Sequence, residues 1–196
     1  HIEQGPMLEA EEKTIGVVTD AQGLRWYEVT VTGQESHAGP TPMDRRRDAL
    51  VGAARMVELV NRIGLEQAPH ACATVGMLEV YPNSRNVIPG RVAFTIDLRH
   101  PDEEILEAME RKLYEGIKEI AAGSALEAEA ERIFSYAPIH FDEECIEIVR
   151  KVTQQLGYSH RDMISGAGHD ACYLSRVAPT SMIFIPCVGG ISHNEI

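Results

Sequence analysis

Arg25-Trp26-Tyr27-Glu28-Val29-Thr30-Val31-Thr32 reads as a β-strand, because β-branched and aromatic residues fill it and Gly33 closes it. Beyond it, Thr41-Pro42-Met43-Asp44 has the form of a helix start. Thr41 is the expected N-cap, Pro42 takes the first helical position, and an acid follows three residues after the cap. Ala49, Leu50, Ala53, Met56, Val57 and Val60 then recur at helical spacing, and the helix is expected to end near Gly64. Residues 71–80 read as a second strand and residues 81–90 as a polar turn carrying Pro82 and Pro89. Residues 91–99 read as a third strand, with Val92, Phe94, Ile96 and Leu98 on one face. Pro101-Asp102-Glu103-Glu104 opens a second helix with acids where the helix dipole favours them. Its apolar stripe is Ile105, Leu106, Met109, Leu113, Ile117 and Ile120, and residues 126–134 alternate as a fourth strand. The order is β-α-β-β-α-β. It predicts an α+β, ferredoxin-like unit: a four-stranded antiparallel sheet with two helices on one face.

The flanks differ in character. Residues 142–156 and 169–176 read as helices and 181–186 as a short buried strand. The expected organisation is an inserted domain at 21–136, with 1–20 and 137–196 as partial segments of a second, α/β domain. The chain opens at His1 without an initiator Met and stops soon after His193, each inside a polar, His-bearing segment. It is therefore expected to be part of a longer chain.

With 196 residues, 44% of them hydrophobic, the chain can bury a good core. No apolar run approaches the length of a membrane span. The net charge of -12 argues against nucleic acid as the main partner, since phosphate binding needs a basic face. Arg45-Arg46-Arg47 sits between Asp44 and Asp48 and reads as the solvated face of a helix start. Cys72, Cys145, Cys172 and Cys187 form no Cys-x-x-Cys pair. They read as small buried thiols, which suits a reducing, cytoplasmic compartment.

Several residues could carry chemistry. His1 in His1-Ile2-Glu3-Gln4-Gly5-Pro6 and His193 after Gly189-Gly190-Ile191-Ser192 are candidate metal ligands, imidazole being a common one. Neither sits in a local two-ligand motif, and an ordinary surface or capping role is the alternative reading. His37, in Ser36-His37-Ala38-Gly39-Pro40, sits in a turn poorly suited to core packing. A turn His bonded to backbone is the alternative reading. Arg99 offers a planar fork that matches a carboxylate, and Asn86 lies beside the same sheet. A lone Arg at a strand end is more often a surface residue, which is the alternative reading. Ser165-Gly166-Ala167-Gly168-His169-Asp170 is a small-residue loop leading into a helix, whose N-cap is read as Ser165 or Asp170. It lacks the Gly-x-Ser-x-Gly elbow of a serine hydrolase, so a Ser165-His169-Asp170 triad is rejected.

In their order along the chain, these segments resemble the di-metal aminoacylase and carboxypeptidase superfamily. They are His-Ile-Glu-Gln-Gly-Pro at 1, Ser-His-Ala-Gly-Pro-Thr-Pro-Met at 36, Asn-Val-Ile-Pro-Gly at 86, Asp-Leu-Arg at 97, Ser-Gly-Ala-Gly-His-Asp-Ala at 165 and Gly-Ile-Ser-His-Asn-Glu at 189. They are most similar to its N-carbamoyl-L-amino-acid hydrolase branch, which includes allantoate amidohydrolases and ureidopropionases. The resemblance implies a catalytic α/β domain with an inserted ferredoxin-like lid that forms the homodimer interface. It implies two divalent ions per site, of Zn, Mn, Co or Ni, with His1 and His193 among their ligands. It implies that His37 polarises the scissile carbonyl, across the dimer, and that Asn86 and Arg99 hold the carboxylate of a small ureido acid. Gln4 and His169 fall in substrate-lining segments. In this family a bridging Asp, a general-base Glu and a further His precede the position of His1, so the chain alone is expected to be inactive. The implied reaction is hydrolysis of a carbamoyl C–N bond. Allantoate hydrolysis is the alternative, and so, for the isolated chain, is a dimerisation module without catalysis. A free-standing sensor domain leaves the motifs at both ends unexplained.

Overall fold

Residues 23–32 alternate as expected. Tyr27, Val29 and Val31 are buried while Trp26, Glu28 and Thr32 are exposed, so one face of this strand needs a cover. A computed structural model describes residues 1–192. In chain order its elements are α1 (Met7–Ala10), β1 (Ile15–Ala21), β2 (Gly23–Thr32), β3 (Ser36–His37), α2 (Ala49–Glu66), β4 (Cys72–Thr74), β5 (Leu78–Tyr81), β6 (Val87–Ile88), β7 (Arg91–His100), α3 (Glu103–Gly123), β8 (Glu127–Tyr136), β9 (Ile139–His140), α4 (Glu143–Gln155), β10 (His160–Ser165), α5 (Asp170–Leu174) and β11 (Met182–Phe184). The fold is α+β. The chain divides into two compact units, Gly23–Ala137 and the pair of flanks His1–Gln22 and Pro138–Ile196.

In the central unit the sheet order is β4-β7-β2-β8, with β5 also on β7. Every pairing is antiparallel. The second predicted strand is in fact β4 and β5, separated at residues 75–77. Gly76 in that gap weakens extended pairing, and Met77 still accepts from the Thr95 amide at 3.1 Å. Along β2 and β7, Val31 faces Val92, Val29 faces Phe94 and Tyr27 faces Ile96. These side chains are buried beneath Ala53, Met56, Val60 and Ile63 of α2 and Leu106, Met109, Leu113 and Ile117 of α3. Each large aliphatic among them contributes about 1.5–3 kcal/mol by leaving water. The two helices approach closely at Gly116, where a Cβ would lie 2.4 Å from a methyl of Leu59.

Helix α2 begins later than Thr41. A short turn at 43–45 gives way to extended backbone at Arg46, and Asp48 caps the helix by accepting from the Leu50 and Val51 amides at 3.0 and 3.2 Å. The arginines there are not simply solvated. Arg46 donates to the carbonyls of Ala38 (2.8 Å) and Thr41 (3.0 Å), and Arg47 to that of Ala125 (2.7 Å). Helix α3 starts as expected, with Asp102 accepting from Glu104 and Ile105. Cys72 is exposed rather than buried. It opposes Arg99 in the β4–β7 ladder and so lies on the sheet face turned away from the helices.

A polar network ties β2 and β8 to α3. Arg25 is 5% exposed and pairs with Glu103 and Glu110, two turns apart on one helix face. Glu110 also accepts from the Tyr27 hydroxyl at 2.9 Å and from Arg132 at 3.0 Å. Burial, followed by that bond to Glu110, raises the Tyr27 pKa, so the phenol stays protonated. A bulge in the β2–β8 ladder, between Trp26 and Tyr27, sets Arg132 rather than Ile133 opposite Tyr27 and within reach of Glu110.

In the flanking unit the sheet order is β10-β1-β11, with β9 also on β1. Strands β1 and β10 are parallel, from Ile15 opposite His160 to Ala21 opposite Ser165. Leu8, Val17, Val18, Phe141, Ile146 and Phe184 form its core. Neither β1 nor β10 is evident in the sequence pattern. Asp142 caps α4 through the Cys145 amide at 2.9 Å. Among the described residues, no helix is long and apolar enough to cross a membrane.

Glu110→Ala should destabilise the protein by about 3 kcal/mol, since it removes one of the two carboxylates on the buried Arg25 guanidinium and the acceptor of the buried Tyr27 hydroxyl. Urea unfolding checks this. A loss below about 1 kcal/mol would mean that the network contributes little.

Candidate functional site

In the flanking unit the first residues run as an added strand beside β11. The Glu3 amide donates to the Ile185 carbonyl at 2.9 Å, and the Ile185 amide to that of His1 at 3.0 Å. This places the His1 ring edge-on to His169, with centroids 4.7 Å apart. Phe184, buried in β11, lies 6.4 and 5.5 Å from the two rings. His1 Nδ1–H donates to the Ile2 carbonyl at 2.7 Å. In the neutral ring that leaves Nε2 as the basic nitrogen, the arrangement common to metal-binding imidazoles. Burial lowers the His169 pKa, so its ring is neutral near pH 7.

His169 Nε2 lies 3.2 Å from Ser165 Oγ. Ser165 is fully buried and its hydroxyl donates to the Ala167 carbonyl at 2.8 Å, so it cannot serve as a nucleophile. The N-cap of α5 is His169, without a side-chain cap bond, rather than Ser165 or Asp170.

Glu3 organises this corner, a role the sequence reading missed. It is 8% exposed, and its carboxylate accepts from the Met7 and Leu8 amides at 2.9 and 2.8 Å. An acid at a helix start is favourable because those amides have no partner within the helix. Gln4, the next residue, is held at φ 61°, a left-handed conformation unusual for a side chain of its kind. Gly190 packs against the same turn. Its φ is 64°, and a Cβ there would lie 2.9 Å from Pro6 N. The Gly189 amide donates to Glu9 at 2.7 Å. The two end segments therefore meet. His193 itself lies outside the described residues. Among the described residues, no group of three His, Cys, Asp or Glu side chains could hold a metal. His1 fits the part of one ligand, and the described residues do not make up a centre.

In the central unit His37 and Asn86 come together. Strands β3 and β6 pair His37 with Val87, and the Ala38 amide donates to the Asn86 carbonyl at 2.9 Å. His37 is exposed, and its Nδ1 accepts the Gly39 amide at 3.1 Å. That bond places the ring proton of the neutral form on Nε2, making it a donor. The hairpin is tied by Thr41, whose hydroxyl donates to the His37 carbonyl at 2.6 Å, and by Arg46.

Arg99 is not beside them. His37 and Asn86 hang from the end where β2 stops and β7 starts, where Gly33 donates to Gly90 at 2.8 Å. Arg99 is at the other end of β7, about 27 Å of extended strand away. There Asp97 binds its guanidinium through Nε at 2.9 Å and Nη2 at 2.6 Å. The Trp26 indole N–H donates to the same Asp97 at 2.9 Å. Its hydrogen bonds to the Asp97 carboxylate raise the Arg99 pKa, with burial opposing them.

Residues 1–196 match the family model described as Peptidase family M20/M25/M40, and the chain belongs to that family. Within it, the chain is 49% identical over 195 residues to the N-carbamoyl-L-amino-acid amidohydrolase of Rhizobium meliloti, covering 100% of this chain and 47% of that protein. It is 37% identical over 198 residues to the allantoate amidohydrolase of Escherichia coli, covering 99% of this chain and 47% of that one. The crystal structure of a hydantoinase/carbamoylase family amidase from Burkholderia multivorans superposes with TM-score 0.97 at 67% identity, covering 100% of this chain and 47% of that one. The chain thus spans about half the length of the relatives it matches.

Glu3→Ala should speed hydrogen exchange at the Met7 and Leu8 amides and cost about 2 kcal/mol of stability. Unchanged exchange at both amides would remove Glu3 from its organising role.

Proposed function

We propose that this chain is part of a metal-dependent amidohydrolase that cleaves the carbamoyl C–N bond of N-carbamoyl-L-amino acids, giving the L-amino acid, ammonia and carbon dioxide. The observation that carries the reading is the 49% identity, over the whole of this chain, to an N-carbamoyl-L-amino-acid amidohydrolase. Residues 23–137 serve as a ferredoxin-like lid, a reading supported by the strand order β4-β7-β2-β8 with β5 also on β7, and the lid joins two copies of the protein. His1 and His193 contribute imidazoles to a site for two divalent ions, of Zn, Mn, Co or Ni. Bound there, such ions supply an activated water and a Lewis acid for the carbonyl.

The chain's own residues bind and polarise the substrate. Arg99 holds the carboxylate in a planar fork. His37 Nε2–H donates to the oxygen that gains charge, and Asn86, on the same hairpin, joins Arg99 in holding the carboxylate. Gln4 and His169 line the pocket. His37 and Asn86 are separated from Arg99 along β7, so one site takes the hairpin end of one protomer and the Arg99 end of its partner.

The likeness to allantoate amidohydrolases supports a second substrate, which offers the same ureido and carboxylate groups. In the full-length, metal-loaded protein, N-carbamoyl-L-methionine and allantoate should be compared for ammonia release. The carbamoyl amino acid is expected to be preferred, and His37→Ala should lower its kcat about 100- to 1000-fold. Faster turnover of allantoate would reverse the substrate assignment. A His37→Ala kcat near that of the unsubstituted protein would remove the donor role.

A further inference from the structure

On the face of the central sheet turned from the helices, Asp97 and Arg99 are two residues apart on β7 and therefore side by side. Trp26 is directly opposite Asp97 on β2. The Asp97 carboxylate is thereby held between two donors, the Trp26 indole at 2.9 Å and the edge of the Arg99 guanidinium at 2.6 and 2.9 Å. Trp26 is itself backed by the Phe134 ring at 5.4 Å, and Phe134 by Tyr136 at 5.9 Å. These three aromatic side chains stand on paired strands, so their spacing is set by the backbone. Arginine otherwise sits on a long, rotatable stem. A carboxylate clamped on one edge of its fork fixes the plane in which the other donors lie.

Resting on the reading that Arg99 holds the substrate's carboxylate, we infer that Asp97, anchored by Trp26, is a positioning residue that sets the Arg99 fork and with it the preference for ureido acids over uncharged ureides. Its removal acts on binding of the acid end and leaves the chemistry at the carbamoyl carbon largely untouched.

The test uses the full-length enzyme with N-carbamoyl-L-methionine and its carboxamide, and the variants Asp97→Asn, Asp97→Glu, Trp26→Phe and Arg99→Lys. Asp97→Asn should raise KM for the acid about tenfold, the effect of losing one charge-assisted hydrogen bond. Its kcat should change less than about twofold and its KM for the carboxamide should stay the same. Trp26→Phe keeps the ring and loses the N–H, so it should give a smaller rise of the same kind, and Asp97→Glu should recover part of the loss. If Asp97→Asn does not fold, Trp26→Phe decides alone. An unchanged KM for the acid in the Asp97→Asn variant, while Arg99→Lys raises it, overturns the role of Asp97 only. Equal losses on acid and carboxamide overturn it as well, because they mark a general structural defect. An unchanged KM in Arg99→Lys overturns the reading of Arg99 and this inference with it.

Discussion

The ten-residue antiparallel register between β2 and β7, from Gly23 opposite His100 to Thr32 opposite Arg91, is the constraint on which the rest of the central unit depends. With a period of two, it fixes both faces of the sheet at once. Toward the helices it sends Tyr27, Val29, Val31, Val92, Phe94, Ile96 and Leu98, which the two helices bury. Toward the other face it sends Trp26, Asp97 and Arg99 as one connected row. A slip by one residue would bury Arg99 and Asp97 and expose the core. The same register sets the length of the unit, which keeps the His37 hairpin and Arg99 at opposite ends.

The flanking unit rests on a different device. A buried carboxylate, Glu3, satisfies two amides that have no partner within α1. The tight turn it holds carries Gln4 in a left-handed conformation, of the kind that costs energy and collects at working sites. Gly190 then fits against that turn because it has no Cβ. Residues far apart in the chain are brought to one corner by backbone contacts, with the His1 and His169 rings edge to face beside Phe184.

Much of this was legible in the sequence wherever periodicity runs long. The four expected strands and two helices of the central unit fall near their places because their apolar residues repeat over many positions. The errors have local physical causes. Thr41-Pro42 has the chemistry of a helix start, yet Arg46 draws the loop carbonyls onto its guanidinium and Asp48 takes the cap. The bulge in β8 carries no marker in Leu126–Tyr136, since the extra residue, Ile133, is as suited to a strand as its neighbours. Strand β10, His160-Arg161-Asp162-Met163-Ile164-Ser165, lacks alternation because it is only partly covered. For the candidate site, residue types pointed to His1, His37, Asn86, Arg99 and His169. Their grouping could not be read. It depends on the two-residue pairing of β3 with β6 and on His1 lying along β11, contacts too short or too distant in sequence to leave a pattern. Glu3 and Trp26 were missed because each acts through a neighbour.

The separation of His37 from Arg99 makes the most direct test a complementation experiment. Full-length His37→Ala and Arg99→Ala proteins, each inactive as a homodimer, would be coexpressed and ammonia release from N-carbamoyl-L-methionine measured. If each site takes His37 from one protomer and Arg99 from the other, half the dimers are mixed and each has one intact site. Activity then returns to about a quarter of that of the unsubstituted enzyme. No recovery, with mixed dimers shown to be present, would place both residues of a site on one chain and contradict the shared arrangement.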